Sequence, residues 1–140
     1  MKKLTFIILF SIITLSCNSK KEVKEIPTQN INRVWMLTQF ENFEKQFLIN
    51  AKAQLDLTAS DNALANMGCN GISFKYNLKS NSQIIFTEGI RTEMACGDMK
   101  LEDDFLEILP KISDFIIEGH KLVLTSKDGE KMIFVAQDWD

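Results

Sequence analysis

The sequence predicts a mainly β domain that carries one α-helix. From Val34 onward, apolar and polar residues alternate in short runs separated by polar or glycine-containing breaks. This is the two-residue period of half-buried antiparallel strands. Two of the breaks, Gly119-His120 and Asp128-Gly129, have the composition of tight hairpin turns. One later segment, residues 101–109, has helical spacing instead.

Nine strands are predicted from the alternating runs. In chain order they cover residues 33–40, 47–49, 53–58, 64–67, 72–77, 83–87, 114–118, 121–125 and 131–136. The last three are joined by the two tight turns, in which a glycine supplies the backbone conformation that short hairpin loops require. We therefore expect them to form a C-terminal antiparallel meander.

The segment 101–109 is predicted to be the helix. Its apolar residues recur at intervals of three and four, and acidic residues occupy its first turn, where the helix dipole favours negative charge. Pro110 is expected to end the helix, because proline disfavours helical geometry in the residue before it. The apolar face of the helix is more simply explained by packing on the sheet than by a cofactor groove.

The first 16 residues have the layout of a bacterial secretory signal that ends at a cysteine to be lipidated. Lys2 and Lys3 precede an apolar run from Leu4 to Leu15. This run is shorter than the roughly 20 residues that a membrane-spanning helix needs, so it predicts a cleaved signal. Cleavage before Cys17 would make that residue the lipid anchor of the mature chain. The alternative is a secreted protein in which Cys17 is unmodified.

Residues 17–32 are predicted to connect the anchor to the domain. They are polar, mixed in charge and interrupted by Pro27, which is typical of a disordered tether. The chain is thus divided into a signal at 1–16, a lipidated cysteine with its tether at 17–32, and one domain at 33–140. Asn18 follows the anchor in place of the aspartate that retains many lipoproteins in the inner membrane, so the expected location is the outer membrane, facing the periplasm or the surface.

Length and charge restrict the possible functions. Loss of residues 1–16 from the 140-residue chain leaves 124 residues, a size that suits one domain with a sizeable core. Loss of Lys2 and Lys3 changes the formal net charge from −3 to −5. The mature chain therefore has no basic excess with which to neutralise phosphates, and nucleic acid is not an expected partner.

Four sequence motifs in order resemble the META domain, the family of the bacterial heat-shock protein HslJ. The resemblance covers residues 33–136 and implies a small, partly open antiparallel β-barrel with one helix packed against the sheet. It also implies an envelope protein, often a lipoprotein, associated with envelope stress and with no established reaction. The family's common residues after the cysteine are replaced here by Asn70-Gly71, so no binding role is carried over to that loop. The motifs are Trp35-Met36-Leu37, Gly68-Cys69-Asn70-Gly71, Thr92 to Cys96, and Glu102 with Phe105 and Leu109.

Cys69 and Cys96 remain as a pair if Cys17 is acylated. A disulfide between them is the natural hypothesis in an oxidising compartment, and the loop-entropy model gives it about 3–4 kcal/mol of stabilisation. The alternative is two buried thiols that pack as small apolar side chains.

Enzymatic and metal-binding hypotheses have little support in the sequence. His120 could serve as a base for Cys69 or Cys96, but a single histidine in a tight turn is usually just solvated. The two cysteines lack the short paired spacing of zinc ligands, and the scattered glycines form no phosphate loop or dinucleotide fingerprint. We therefore predict no catalytic residues, no metal and no cofactor.

Two binding hypotheses remain. In the first, the domain is a stress-related protein-interaction module that contacts an envelope protein through an exposed sheet edge or the loops around Cys69 and Cys96. In the second, the barrel holds a lipid or another apolar small molecule. The residues expected to line such a cavity are Phe74, Phe86, Phe115 and Phe134. We favour the first hypothesis, because small barrels usually fill their interiors with side chains.

Overall fold

The computed structural model describes residues 30–139. The predicted signal, the lipidation site Cys17 and residues 18–29 of the predicted tether lie outside this range. Among residues 30–139, no helix is both long enough and apolar enough to cross a bilayer.

The described chain forms nine strands, two α-helices and one 3-10 turn. The elements are β1 Val34–Phe40, α1 Lys45–Asn50, β2 Gln54–Asp56, β3 Asn62–Asn66, β4 Gly71–Leu78, β5 Ile84–Phe86, β6 Ile90–Arg91, α2 Lys100–Ile108, the 3-10 turn Leu109–Lys111, β7 Ile112–Glu118, β8 Lys121–Ser126 and β9 Lys131–Ala136.

All paired strands are antiparallel and follow the order β5-β4-β3-β2-β1-β9-β8-β7, while β6 also pairs with β4. The two end strands approach each other at one bridge, between Gln83 and Asp114. Beside it, the Phe115 N–H donates a hydrogen bond of 2.8 Å to the Ser82 carbonyl. The sheet therefore curls into a nearly closed barrel with an unsealed seam, which confirms the predicted fold class.

The barrel interior is filled with apolar side chains from every long strand. Trp35, Phe40 and Phe134 are fully buried there, and the Trp35 Nε1–H donates to the Ile31 carbonyl at 2.8 Å. The helix α2 adds Phe105, whose ring centroid lies 6.2 Å from that of Phe74. Helix and sheet thus share one core, as the amphipathic pattern of residues 101–109 indicates.

The strands β5 and β6 form a bulged partner for β4. Tyr76 lies opposite Phe86, but Ser73 lies opposite Ile90, so one extra residue is inserted between the two short strands. Gly89 occupies this bulge, and a Cβ there would lie 2.7 Å from Leu106 Cδ2 and 2.9 Å from Ile72 Cγ2. The missing side chain is what allows α2 to approach the sheet at this point.

Most sequence-predicted elements are confirmed. Eight of the predicted strands match observed strands with ends that differ by at most two residues, and both hairpins form, with Gly119 at φ 62° and Gly129 at φ 90°. The predicted helix 101–109 matches α2, which continues into the 3-10 turn that contains Pro110.

The predicted strand at 47–49 is wrong, because these residues belong to the helix α1. Leu48 is buried, while the Phe47 ring stacks on Phe43 with centroids 5.8 Å apart. Three residues are too few to distinguish a two-residue period from a helical one. The strand β6 has no counterpart among the predicted strands, because its two residues are too few to show alternation.

Candidate functional site

The disulfide hypothesis is confirmed, since Cys69 and Cys96 are bonded with their Cα atoms 6.2 Å apart. Cys69 lies in the turn between β3 and β4, and Cys96 lies in residues 92–99, the loop between β6 and α2. The two halves differ in environment, because Cys69 is buried and Cys96 is exposed.

Next to the disulfide, the side chain of Asn70 holds the same loop through hydrogen bonds. Asn70 is fully buried. Its Oδ1 accepts from the Met94 N–H at 2.8 Å and from the Thr92 hydroxyl at 2.7 Å. Its Nδ2 donates to Glu102 Oε1 at 2.9 Å. One amide thus connects the β3–β4 turn, the 92–99 loop and the first turn of α2.

Glu102 is the charged member of this group, and its side chain is only 1% exposed. Its Oε2 accepts the Asn70 N–H at 2.8 Å, and its Oε1 lies 3.1 Å from an Arg91 guanidinium nitrogen. Arg91 also binds Asp103 at 2.5 Å, and this hydrogen bond raises the pKa of Arg91 above its ordinary value. The buried carboxylate is therefore both paired and hydrogen-bonded, as a buried charge must be.

The sequence motifs predict members of this site but not the contacts between them. Asn70 and Glu102 belong to the motifs of the family resemblance, whereas Arg91 belongs to none of them. Residues 70 and 102 are 32 positions apart, so no local period links them. The burial of Glu102 in the first turn of α2 is not predicted by the sequence.

A groove runs along the outside of the barrel beside this network. Its floor is β4, where Gly71 has no side chain and Ser73 has a short one. Ser73 lies opposite Leu64 on one side and Ile90 on the other, so two aliphatic side chains form the walls. The groove has a volume of about 490 Å³. We call it the outer groove, and its lining includes Leu64, Asn66, Gly71, Ser73, Ile90 and Thr92.

The aliphatic walls of the outer groove are open to solvent, with Leu64 58% and Ile90 75% exposed. Polar groups stand around them, including Gln54, Asp56 and Asn66. Apolar walls with a polar surround are the composition expected of a surface that binds another molecule.

The interior residues proposed for a ligand cavity are packed in the core instead. Phe74, Phe86, Phe115 and Phe134 are all buried, and the Phe74 and Phe86 rings meet edge to face with centroids 5.6 Å apart. An apolar ligand among these rings would have to displace side chains that already contact one another.

The residues of the enzymatic hypothesis lie in a hairpin turn and in the disulfide. His120 lies in the β7–β8 turn, where its ring stacks on Trp139 with centroids 3.7 Å apart. Cys69 and Cys96 are joined to each other, so neither sulfur is a free nucleophile while the bond is intact. Within residues 30–139, no three His, Cys, Asp or Glu side chains are grouped so that they could hold a metal ion.

Fold and site together define a small antiparallel barrel whose motif loops are joined by a disulfide and a buried amide–carboxylate network. Residues 28–139 match the META domain model. The chain therefore belongs to the META domain family.

Two solved structures share the fold. One is the NMR structure of a protein from Burkholderia xenovorans, with a TM-score of 0.63 and 20% identity over 77% of this chain and 83% of that one. The other is the crystal structure of a DUF4847 family protein from Bacteroides vulgatus, with a TM-score of 0.55 and 11% identity over 78% of this chain and 95% of that one. No curated protein sequence matches this chain significantly.

Proposed function

We propose that this protein is a non-enzymatic envelope lipoprotein whose domain is a stress-related protein-interaction module. Its anchor is the lipidated Cys17, and its location is the outer membrane. The observation that carries the interaction proposal is the outer groove, which presents Leu64 and Ile90 to solvent across the open floor of β4.

Two sets of contacts order the outer groove, namely backbone hydrogen bonds within it and the contacts that hold the 92–99 loop beside it. Its floor and walls are hydrogen-bonded to one another, and the Thr92 N–H donates to the Gly71 carbonyl at 3.1 Å. Behind Thr92, the loop is held by Asn70 and by the disulfide. A surface that is already ordered loses little conformational entropy on binding, which favours affinity.

The lining indicates the chemistry of the partner. An aliphatic or aromatic side chain of an envelope protein fits between Leu64 and Ile90, above Ser73, where it removes apolar surface from water. The amide and carboxylate groups of Gln54, Asp56 and Asn66 supply a rim that can accept and donate hydrogen bonds. This division into an apolar centre and a polar rim is typical of protein interfaces.

Site-specific crosslinking in living cells tests the interaction. A photo-reactive amino acid at position 64 of the full chain should give a discrete crosslinked species in the envelope fraction. The substitution Ile90→Glu should lower its yield by about tenfold, because a charge placed in the groove would have to be desolvated on binding. The matched control is Ile116→Glu on β7, since Ile116 is 57% exposed and lies outside the groove lining. The proposal is contradicted if Ile90→Glu and Ile116→Glu lower the crosslinking yield equally, or if neither substitution lowers it.

The stress-related part of the proposal comes from the family resemblance and has its own test. The amount of the protein should rise when the envelope is stressed by heat, which quantitative immunoblotting of the native cells measures. An unchanged amount contradicts this part and leaves the interaction test unaffected.

A further inference from the structure

The Cys69–Cys96 disulfide is asymmetric in its access to solvent. Cys69 is buried behind the start of β4, whereas Cys96 and the residues on both sides of it are exposed. Thiol–disulfide exchange requires a thiolate to approach one of the two sulfurs, so access decides which sulfur is attacked. Cys96 is therefore the sulfur that a reductant in solution meets first.

The buried half of the disulfide has polar neighbours suited to its reduced form. Asn70 Nδ2 lies 3.6 Å from Cys69 Sγ, and so does the Met94 carbonyl oxygen. The amide N–H can donate to a Cys69 thiolate as the sulfur leaves, and the carbonyl can accept the S–H once it is protonated. A polar partner for each state of Cys69 is thus already within 3.6 Å of its sulfur.

The loop also has anchors that do not depend on the disulfide. Asn70 holds Thr92 and Met94, while Lys100 begins α2. Only residues 95–99 lie between these anchors, so reduction releases a short segment and leaves the network of Asn70, Glu102 and Arg91 in place. The fold is therefore expected to survive reduction.

We propose that Cys69–Cys96 is a thiol–disulfide exchange site for a dithiol reductant, with Cys96 as the sulfur that is attacked. The thiolate of the reductant forms a mixed disulfide with Cys96 as the Cys69–Cys96 bond breaks. Cys69 leaves as a thiolate and takes up a proton. The second thiol of the reductant then attacks the mixed disulfide, so the reductant becomes a disulfide and Cys96 is released as a thiol. Two electrons pass from the reductant to the cysteine pair.

The attacked sulfur is identified with the unmodified protein and glutathione as a monothiol probe. Brief incubation of the oxidised full chain, an acid quench and peptide mapping by mass spectrometry locate the mixed disulfide, and mapping separates any label on Cys17. Glutathione is expected on Cys96 at least about tenfold more often than on Cys69, since access selects the sulfur. A majority on Cys69, or equal labelling, overturns the proposal.

The second measurement asks whether exchange occurs in the folded state. The rate at which dithiothreitol reduces the native protein should be at most about tenfold lower than its rate with the same protein unfolded in guanidinium. The reason is that an accessible sulfur can be attacked without global unfolding. Near-ultraviolet circular dichroism should remain native after reduction. A native rate slower by about a thousandfold or more, or loss of the native spectrum, shows a buried structural disulfide and contradicts the inference.

Two matched variants provide an independent check in the chain that carries Cys17→Ser. Cys69→Ser leaves Cys96 as the remaining thiol, and Cys96→Ser leaves Cys69. The Cys96 thiol should react with a maleimide at least about tenfold faster than the Cys69 thiol, because reactivity follows exposure. The opposite order contradicts the assignment of Cys96 as the attacked sulfur.

Discussion

At the scale of single residues, Asn70 connects three separate segments of the chain. Its side-chain amide bonds the backbone of Met94, the hydroxyl of Thr92 and the carboxylate of Glu102. Glu102 is buried, so its carboxylate loses a hydrogen bond that water cannot readily replace if the amide is removed. The residue therefore holds the motif loops together independently of the disulfide beside it.

The substitution Asn70→Ala should lower the free energy of unfolding by about 2–3 kcal/mol, since it removes three side-chain hydrogen bonds, one of them to the buried carboxylate of Glu102. Urea denaturation of the oxidised protein measures this change. Asn77→Ala on the exposed face of β4 is the control and should change the unfolding free energy by no more than about 0.5 kcal/mol. Similar values for the two variants would show that the network contributes nothing to stability.

Asp138 provides a pH-dependent contact between the two ends of the domain. Its hydrogen bond from Arg33, 2.6 Å long, lowers the pKa of Asp138 below its ordinary value of 3.8. The stabilisation is present above that ordinary value and disappears as the pH falls through the lowered pKa. The stability gap between the wild type and Asp138→Asn should therefore be constant near pH 7 and close below about pH 3.8. Denaturation at several pH values measures this gap, which should be smaller near pH 7 when Arg33 is replaced by glutamine.

At the scale of elements, the bulge between β5 and β6 determines how α2 meets the sheet. The extra residue at this point turns the chain so that Ile90 faces the outer groove while Gly89 lies under Leu106 of the helix. A bulge is a common device for redirecting side chains next to a binding surface. The same local irregularity thus serves both the helix–sheet contact and one wall of the groove.

Gly89→Ala should destabilise the protein by about 1–3 kcal/mol, because the added methyl group overlaps Leu106 and Ile72. Thermal and urea denaturation check this. Gly97→Ala is the control, since a Cβ at Gly97 meets nothing within 4 Å. The loss of unfolding free energy caused by Gly89→Ala should be smaller when Leu106 is also replaced by alanine. An equally large loss in that double variant would show that the clash with Leu106 is not its cause.

At the scale of the whole molecule, the barrel keeps the proposed binding surface and the core apart. The large aromatic side chains fill the interior, while the outer groove and the exposed Cys96 lie on the outside around β4 and the 92–99 loop. In the proposed lipoprotein, the domain would be attached to the membrane through Cys17. The outer groove would then be the surface that it presents to a partner.

The anchor itself is tested by Cys17→Ser in the full chain. A lipid on Cys17 is the proposed source of membrane attachment, so the variant should move from the membrane fraction to the soluble envelope fraction. Fractionation followed by immunoblotting measures this shift, and intact mass spectrometry of the wild type should show the acyl chains. Continued membrane association of the variant contradicts the proposed anchor.

The sequence by itself determined eight of the nine strands in residues 30–139, the C-terminal meander and α2, because alternation, turn glycines and helical spacing are local properties of the chain. The tertiary structure decided whether Cys69 and Cys96 are joined, and it decided that residues 45–50 are helical and that β5 and β6 are separated by a bulge. It also decided the contacts of Asn70 with Glu102 and the position of Ser73 between Leu64 and Ile90. These features depend on which distant segments meet, and no local period of the sequence contains that information.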